Sequence, residues 1–351
     1  MRSLKLCAKY FLFLILISVF ISGCMFSYTA KSAYFQMEML NSRQSIDKVL
    51  AQNLLPQEQA ERLAMVPKIK KFGENLGLSP TKNYGTYTVN WNRTILVFCA
   101  CKPLAFQNET WIFPVVGKIP YLGFFRMKDA RPWVNKYEAE GWDVWLRTAG
   151  AYSTGGKFKD PVTPAILENN EWRLAELISH ELAHSTVWKK GQTDFNETFA
   201  NVVGEEISDR WMIAHYGADS TELRQMREQR KDKQTFYQII NGLYNELNII
   251  YCDKQFTDEQ KLNLKNQLII SLQSRILNSN MTNKLGYANY VSRETWNNAR
   301  LSQYRTYNNS REMFDALLAK YNGDIRSFIK KLKAIARDNE NPWIALKKAI
   351  D

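Results

Sequence analysis

Two of the chain's three histidines stand four residues apart, at His180 and His184, with Glu181 directly after the first. On a helix, positions i and i+4 share one face about a turn apart, so both imidazoles can offer a nitrogen to a single ion. Glu181, offset by one position, falls beside such an ion rather than on it, where its carboxylate can take a proton from water the ion has acidified. These donors suit one Zn2+, which in catalytic sites is held by three protein groups and keeps its fourth position open. The third ligand is expected from Asn196-Glu197-Thr198-Phe199-Ala200, which begins twelve residues beyond His184, with Glu197 as the donor. Asp194-Phe195-Asn196-Glu197 also fits a capping box, in which Glu197 would only close the start of a helix. Glu205 and Glu206 are the fallback donors.

The elements that must position these residues are legible from periodicity. A helix capped by Asn169 or Asn170 is expected to run to about Trp188, burying Trp172, Leu177 and Ile178, with Gly191 ending it. A second helix is expected from Asp194 through Trp211 to Tyr216, with Glu197 in its first turn. Upstream, apolar spacings of three and four from Ala30 to Gly77 predict two helices separated near Pro56. Strands are expected over Tyr84–Asn90, Thr94–Cys101, Trp111–Val116 and Trp142–Arg147, with a helix over Asp129–Gly141 between the last two. Beyond Thr221 the pattern is almost wholly helical, and no repeat or low-complexity linker divides it. The expected fold is α+β and predominantly helical, with a small mixed sheet. Residues 24–351 are read as one domain, made of a helical N-terminal part (30–78), a sheet and metal-site part (84–216) and a helical C-terminal part (221–351).

The first 23 residues are of a different kind. Arg2, Lys5 and Lys9 precede the apolar run Phe11–Ile21, which is too short to span a bilayer comfortably and reads as a secretory signal. Ile21-Ser22-Gly23-Cys24 follows and resembles the bacterial lipobox. That resemblance implies cleavage before Cys24, lipidation of its thiol and a membrane-tethered mature chain. Met25 rather than Asp after the cysteine implies outer-membrane sorting, facing the periplasm, in a Gram-negative host. Cys99, Cys101 and Cys252 make neither a disulfide framework nor a zinc spacing, and the first two read as small core residues of a strand. Losing the leader's three cations lowers the formal charge from +12 to +9. The remaining Lys and Arg are scattered among acids along helices, which fits a solvated surface near anionic lipid and excludes a nucleic-acid stripe.

The metal motif does not stand alone. Trp111-Ile112-Phe113-Pro114-Val115-Val116-Gly117, Pro120-Tyr121-Leu122-Gly123-Phe124-Phe125, Gly141-Trp142-Asp143-Val144, Ala151-Tyr152-Ser153-Thr154, Phe195-Asn196-Glu197-Thr198-Phe199-Ala200 and Asn297-Asn298-Ala299-Arg300-Leu301 with Tyr304 resemble, in order, the predicted zinc aminopeptidases of bacterial envelopes. The resemblance implies a zincin-like peptidase fold with a glutamate as third ligand, acting on peptides. A more distant likeness joins the large zinc aminopeptidases, whose HExxH is followed by Asn-Glu-Gly-Phe-Ala. Here Thr198 replaces the glycine, the spacer is shorter, and Gly204 stands where those enzymes place a further carboxylate. No Gly-x-Met-Glu-Asn segment for gripping a substrate amine is present, so exopeptidase and endopeptidase both stay open. A non-catalytic structural or binding lipoprotein on the same fold is the alternative from another class. For a peptidase, an oxyanion also needs a donor besides the metal. Tyr152 and then Tyr304 are the candidates, and Asn201 is a candidate to orient a ligand imidazole.

Overall fold

A computed structural model describes residues 24–91, 93–113, 117–149, 159–305, 311–338 and 340–351. The leader and Tyr152 lie outside these residues, and of Cys24 only the backbone is described.

The helix α6 (Glu171–Thr186) forms where the sequence predicts it. The Asn170 side chain accepts from the Arg173 backbone N–H at 3.1 Å, satisfying one of the first orphan donors, and Glu171 places negative charge at the positive end of the helix dipole. Trp172, Leu174, Ala175, Ile178 and Leu182 bury one stripe. The helix stops two residues before the expected Trp188. Thr186 Oγ1 turns back to the Leu182 carbonyl at 2.9 Å and accepts from the Ser79 N–H at 2.9 Å, tying the last turn to the preceding segment. A short link containing Gly191, at φ +75°, leads into α7 (Thr193–Tyr216). A side chain there would be strained, which is why glycine makes this turn.

Helix α7 runs antiparallel to α6. Ser208 Oγ donates to the Trp172 carbonyl at 2.8 Å, while Trp211 Nε1 and Tyr216 Oη donate to the two oxygens of Glu171 at 2.7 and 2.6 Å. At the other end Asn196 clasps the link, its Oδ1 accepting from the Lys189 N–H at 2.8 Å and its Nδ2 donating to the Lys189 carbonyl at 2.9 Å. Between these ties the helices nearly touch. A Cβ on Gly204 would lie 2.8 Å from the Glu176 carbonyl oxygen and 3.2 Å from His180 Cβ, so only glycine permits this approach.

Around this pair the apolar side chains form linked cores. Helix α3 (Gln57–Asn75) brings Leu63, Val66 and Ile69, and Phe314, Phe328 and Leu332 come from α12 (Arg311–Lys320) and α13 (Ile325–Arg337). The N-terminal region holds three helices rather than two. These are α1 (Cys24–Asn41), α2 (Ile46–Ala51) and α3, with the short strand β1 (Arg43–Ser45) before α2. Strand pairing is antiparallel in every ladder where a mixed sheet was expected. β1 pairs with β2 (Thr86–Thr88), β4 (Trp111–Phe113) with β5 (Gly117–Ile119), and β3 (Leu96–Cys101) lies between β6 (Leu122–Phe124) and β7 (Asp143–Thr148). The only parallel bridge among the described residues is Tyr87↔Val162. All of β3 is buried, including Cys99 and Cys101, beneath α4 (Met127–Ala139) with its Ala130, Val134 and Tyr137.

A further core lies in α8 (Thr221–Cys252), α9 (Asp258–Leu277) and α10 (Lys284–Arg293), built from Phe236, Ile240, Leu243, Leu247, Leu272 and Ile276. Asp143 at the start of β7 joins it to the sheet. Its Oδ2 accepts from Lys265 Nζ at 2.5 Å and from the Asn298 N–H at 2.8 Å, and Lys265 is nearly inaccessible. Asn297 and Asn298 extend the joint to the carbonyls of Val144, Lys102 and Pro103 at the opening of α11 (Asn298–Arg305). Arg300, almost fully buried, stacks over Trp296 at 4.3 Å and Trp145 at 5.2 Å. The Asn-Asn-Ala-Arg stretch is therefore the clasp between helical part and sheet.

Removing one member of a buried ion pair leaves the other charge uncompensated. Asp143→Ala is expected to lower unfolding free energy by about 3 kcal/mol, and the joint Asp143→Leu, Lys265→Met exchange by much less. Urea denaturation followed by tryptophan fluorescence reads both; equal losses in the two proteins would refute the account of the joint.

Candidate metal centre

His180 and His184 project from α6 across to α7, where Glu197 meets them. Glu197 Oε2 lies 3.6 Å from His180 Nε2, Glu197 Oε1 lies 3.6 Å from His184 Nε2, and the two Nε2 atoms are 3.2 Å apart. The imidazole planes are perpendicular, with centroids 4.9 Å apart. Two ligands bound at about 2.05 Å in tetrahedral geometry are about 3.3 Å apart, so these separations fit one small ion. Among the described residues this is the group of His, Cys, Asp and Glu side chains whose donor atoms all fall within 4.8 Å. Two imidazole nitrogens and one carboxylate oxygen are also the donor types such an ion takes.

The placement removes the capping reading of Glu197. Helix α7 begins at Thr193 with Gln192 at the cap and no side-chain capping bond, so Glu197 is already past the first turn. Its carboxylate faces the imidazoles. Glu205 and Glu206, the fallback donors, are ion-paired to Arg311 and Arg210. Gly204, where a further carboxylate was looked for, is the point of helix contact.

Burial and charge divide the imidazoles. Burial pushes His184 down to about 4, helped by His180 and opposed by Glu197. Burial also acts to lower His180, but the bond to Glu197 and the charges of Glu181, Glu197 and Glu176 outweigh it and raise the value. Burial would raise Glu197; the bond to His180 and both imidazole charges hold it below the ordinary carboxylate range. The bond between His180 and Glu197 thus favours the charged form of each, whereas burial favours neutral His184. His184 Nδ1 is buried without a hydrogen-bond partner among the described residues. Asn201, expected to orient an imidazole, lines the adjacent cavity instead. The Trp188 ring stands edge-on at 5.7 Å from His184, forming an outer wall.

Tyr304 lines that same cavity. Its hydroxyl is 3.1 Å from Tyr290 Oη and its ring packs on Trp145 and Trp296. Tyr121, between β5 and β6, has its phenol raised first by burial and next by the charge of Glu197, and Arg147 also acts on it.

A family model described as "Putative aminopeptidase" matches residues 27–342. The chain belongs to that family. The match runs through the sheet, both helices of the triad and the clasp at Asn297–Arg300, so the metal motif sits within the matched stretch rather than as an isolated likeness. No curated protein and no solved structure matches the chain.

An ion in the triad needs both imidazoles neutral, and protons compete for His180, whose value is raised. Affinity measured by competition with a chromogenic chelator is therefore expected to fall about tenfold per pH unit below the His180 value. His184 acts on the stability of the ion-free protein. Its unfolded form takes a proton near 6.5 but the native form only near 4, so its contribution is complete above 6.5 and is lost as pH falls towards 4. An affinity unchanged between pH 8 and 5.5 would contradict the triad as the binding site.

Proposed function

We propose that this chain is a zinc-dependent metallopeptidase, by its family an aminopeptidase, tethered to a bacterial envelope through lipidated Cys24. The observation that carries the catalytic part is the convergence of His180, His184 and Glu197 within 4.8 Å, one residue from Glu181. Membership of the family supports peptide hydrolysis as the reaction class. The lipobox-like Ile21-Ser22-Gly23-Cys24 carries the membrane part, and the outer membrane facing the periplasm is the expected site in a Gram-negative cell. No described helix is long and apolar enough to cross a membrane.

His180, His184 and Glu197 would hold the ion, two donors on one helix and one on its antiparallel neighbour. Zinc bound there supplies a Lewis acid that polarises a carbonyl and acidifies water. Glu181 accepts the proton of the attacking water and then returns it to the leaving amine, a role its place beside His180 allows. As oxyanion forms on the scissile carbonyl, a phenol can donate to it, with Tyr152 and then Tyr304 as the candidates from the sequence pattern. Low local dielectric strengthens each of these interactions, since the triad is largely shielded from solvent.

The lost proton relay is the direct test. Glu181→Gln keeps shape and the ion but cannot accept a proton, so kcat on aminoacyl and internally quenched peptides is expected to fall about 10²- to 10⁴-fold with zinc content unchanged. Full activity in that variant would exclude Glu181 as the base. Cleavage of N-terminally blocked peptides would replace aminopeptidase with endopeptidase, and zinc without turnover of any peptide would favour a binding lipoprotein.

A further inference from the structure

One turn along α7 from Glu197 the structure opens into a cavity of about 720 Å³, within the size range that encloses a small ligand or short peptide. Asn201 and Glu205 follow Glu197 at intervals of four on the same helix face, so the cavity begins about 6 Å along the axis from the ligand carboxylate. Its other walls come from β7, α8, α11 and α12.

The lining is charged with a definite sign. Arg147, Arg227, Arg230, Lys231, Lys233 and Arg311 face it, against three acids, Glu205, Asp209 and Asp315. Those acids are already engaged. Glu205 and Asp315 pair with Arg311, Asp209 pairs with Arg230 and Arg227, and Glu176 from outside the lining takes up Arg230 and Lys233. Arg147 and Lys231 are left with no carboxylate partner among the described residues. Among the described residues Arg147 donates to the Thr148 carbonyl at 3.3 Å and packs against Trp145. The flanking sequences 150–158 and 306–310 contain no Asp or Glu either.

A cavity with this charge repels a free amine and attracts a carboxylate. We propose that it is the substrate-binding extension of the metal centre, selecting short peptides that present a carboxylate away from the scissile bond, with Arg147 and Lys231 as the residues that receive it. The proposal rests on the metallopeptidase reading for the word substrate, and on the cavity alone for its selectivity. The arrangement also accounts for a peptidase without an amine-gripping acidic segment: recognition comes from the carboxylate side. The carboxylate is either a peptide's own C-terminus or an Asp or Glu side chain. Both bear the same charge and the same bidentate geometry that a guanidinium takes up.

Binding to ion-free full-length protein tests this apart from catalysis. Fluorescence anisotropy is read for four labelled pentapeptides of one backbone: neutral with free C-terminus, neutral amidated, Glu-containing amidated and Lys-containing amidated. At least one carboxylate-bearing peptide is expected to bind about tenfold or more tightly than the neutral amide, the Lys peptide most weakly, and the preference should shrink in 0.5 M salt. The first and third peptides tell a C-terminal from a side-chain carboxylate. Arg147→Gln and Lys231→Gln are each expected to weaken the favoured peptide about three- to tenfold while leaving the neutral amide unchanged, with circular dichroism and thermal midpoint confirming the fold. Equal binding of all four peptides, no effect of either substitution, or inorganic phosphate displacing as well as the carboxylate peptide would overturn the proposal. Turnover by the zinc-loaded protein is read separately. Selective binding without hydrolysis sinks the peptidase reading and keeps the cavity, whereas hydrolysis that ignores peptide charge keeps the peptidase and sinks the cavity.

Discussion

The close approach of α6 and α7 at Gly204 is the contact on which the metal centre depends. Glycine lets the α7 backbone lie against Glu176 and His180, and that distance is what allows a glutamate side chain seven residues earlier to reach two imidazoles. A larger residue would push the helices apart, and 3.6 Å contacts do not survive a shift of an ångström. The surrounding bonds hold the approach at both ends. Glu171 receives Trp211 and Tyr216 at one end, and Asn196 clasps Lys189 at the other. The Asn196 bonds contribute about 1 kcal/mol each and those to the Glu171 carboxylate about 1.5 kcal/mol or more, and together they fix the relative rotation of two helices that apolar packing alone would leave adjustable.

Electrostatics then follows from placement. Three polar groups taken out of water would be costly if they were isolated, and they are not: Glu197 sits between the imidazoles and stabilises charge on His180 while His184 stays neutral. The spacing of 3.2 to 3.6 Å among two nitrogens and a carboxylate oxygen also suits one shared metal ion. Outside this centre, Glu176 is held by Arg230 and Lys233, so the next turn of α6 is tied to α8 and the wall of the cavity is built from the same ion pairs that brace the triad. Site and cavity are thus joined through Glu176, and the charge turns positive along the cavity wall.

Much of this was legible in the sequence because it is local. The i, i+4 histidines, the glutamate between them and the Asn170 cap are short-range patterns, and the helices formed on them nearly residue for residue. Glu197 was ambiguous for a physical reason: an acid three residues after an Asp fits a capping box and a metal ligand equally well, and only the start of α7 at Thr193 separates the two. Glu205 and Glu206 could not be dismissed before Arg311 and Arg210 were seen to pair with them. Asn297–Arg300 stood out as a resemblance, but that it clasps β7 to the helical part depends on contacts across about 150 residues. Arg147, with no carboxylate partner among the described residues, was invisible for the same reason, since strand register and helix packing rather than spacing bring it to the cavity.

The central claim is that His180, His184 and Glu197 together hold one zinc ion. Anomalous diffraction from crystals of protein purified without added metal, with data on both sides of the zinc edge, tests it most directly. The account predicts a single strong peak, present only above the edge, in contact with His180 Nε2, His184 Nε2 and a Glu197 oxygen. A zinc peak bound elsewhere, or a triad that stays closed on a shared proton in zinc-supplemented crystals, would contradict it.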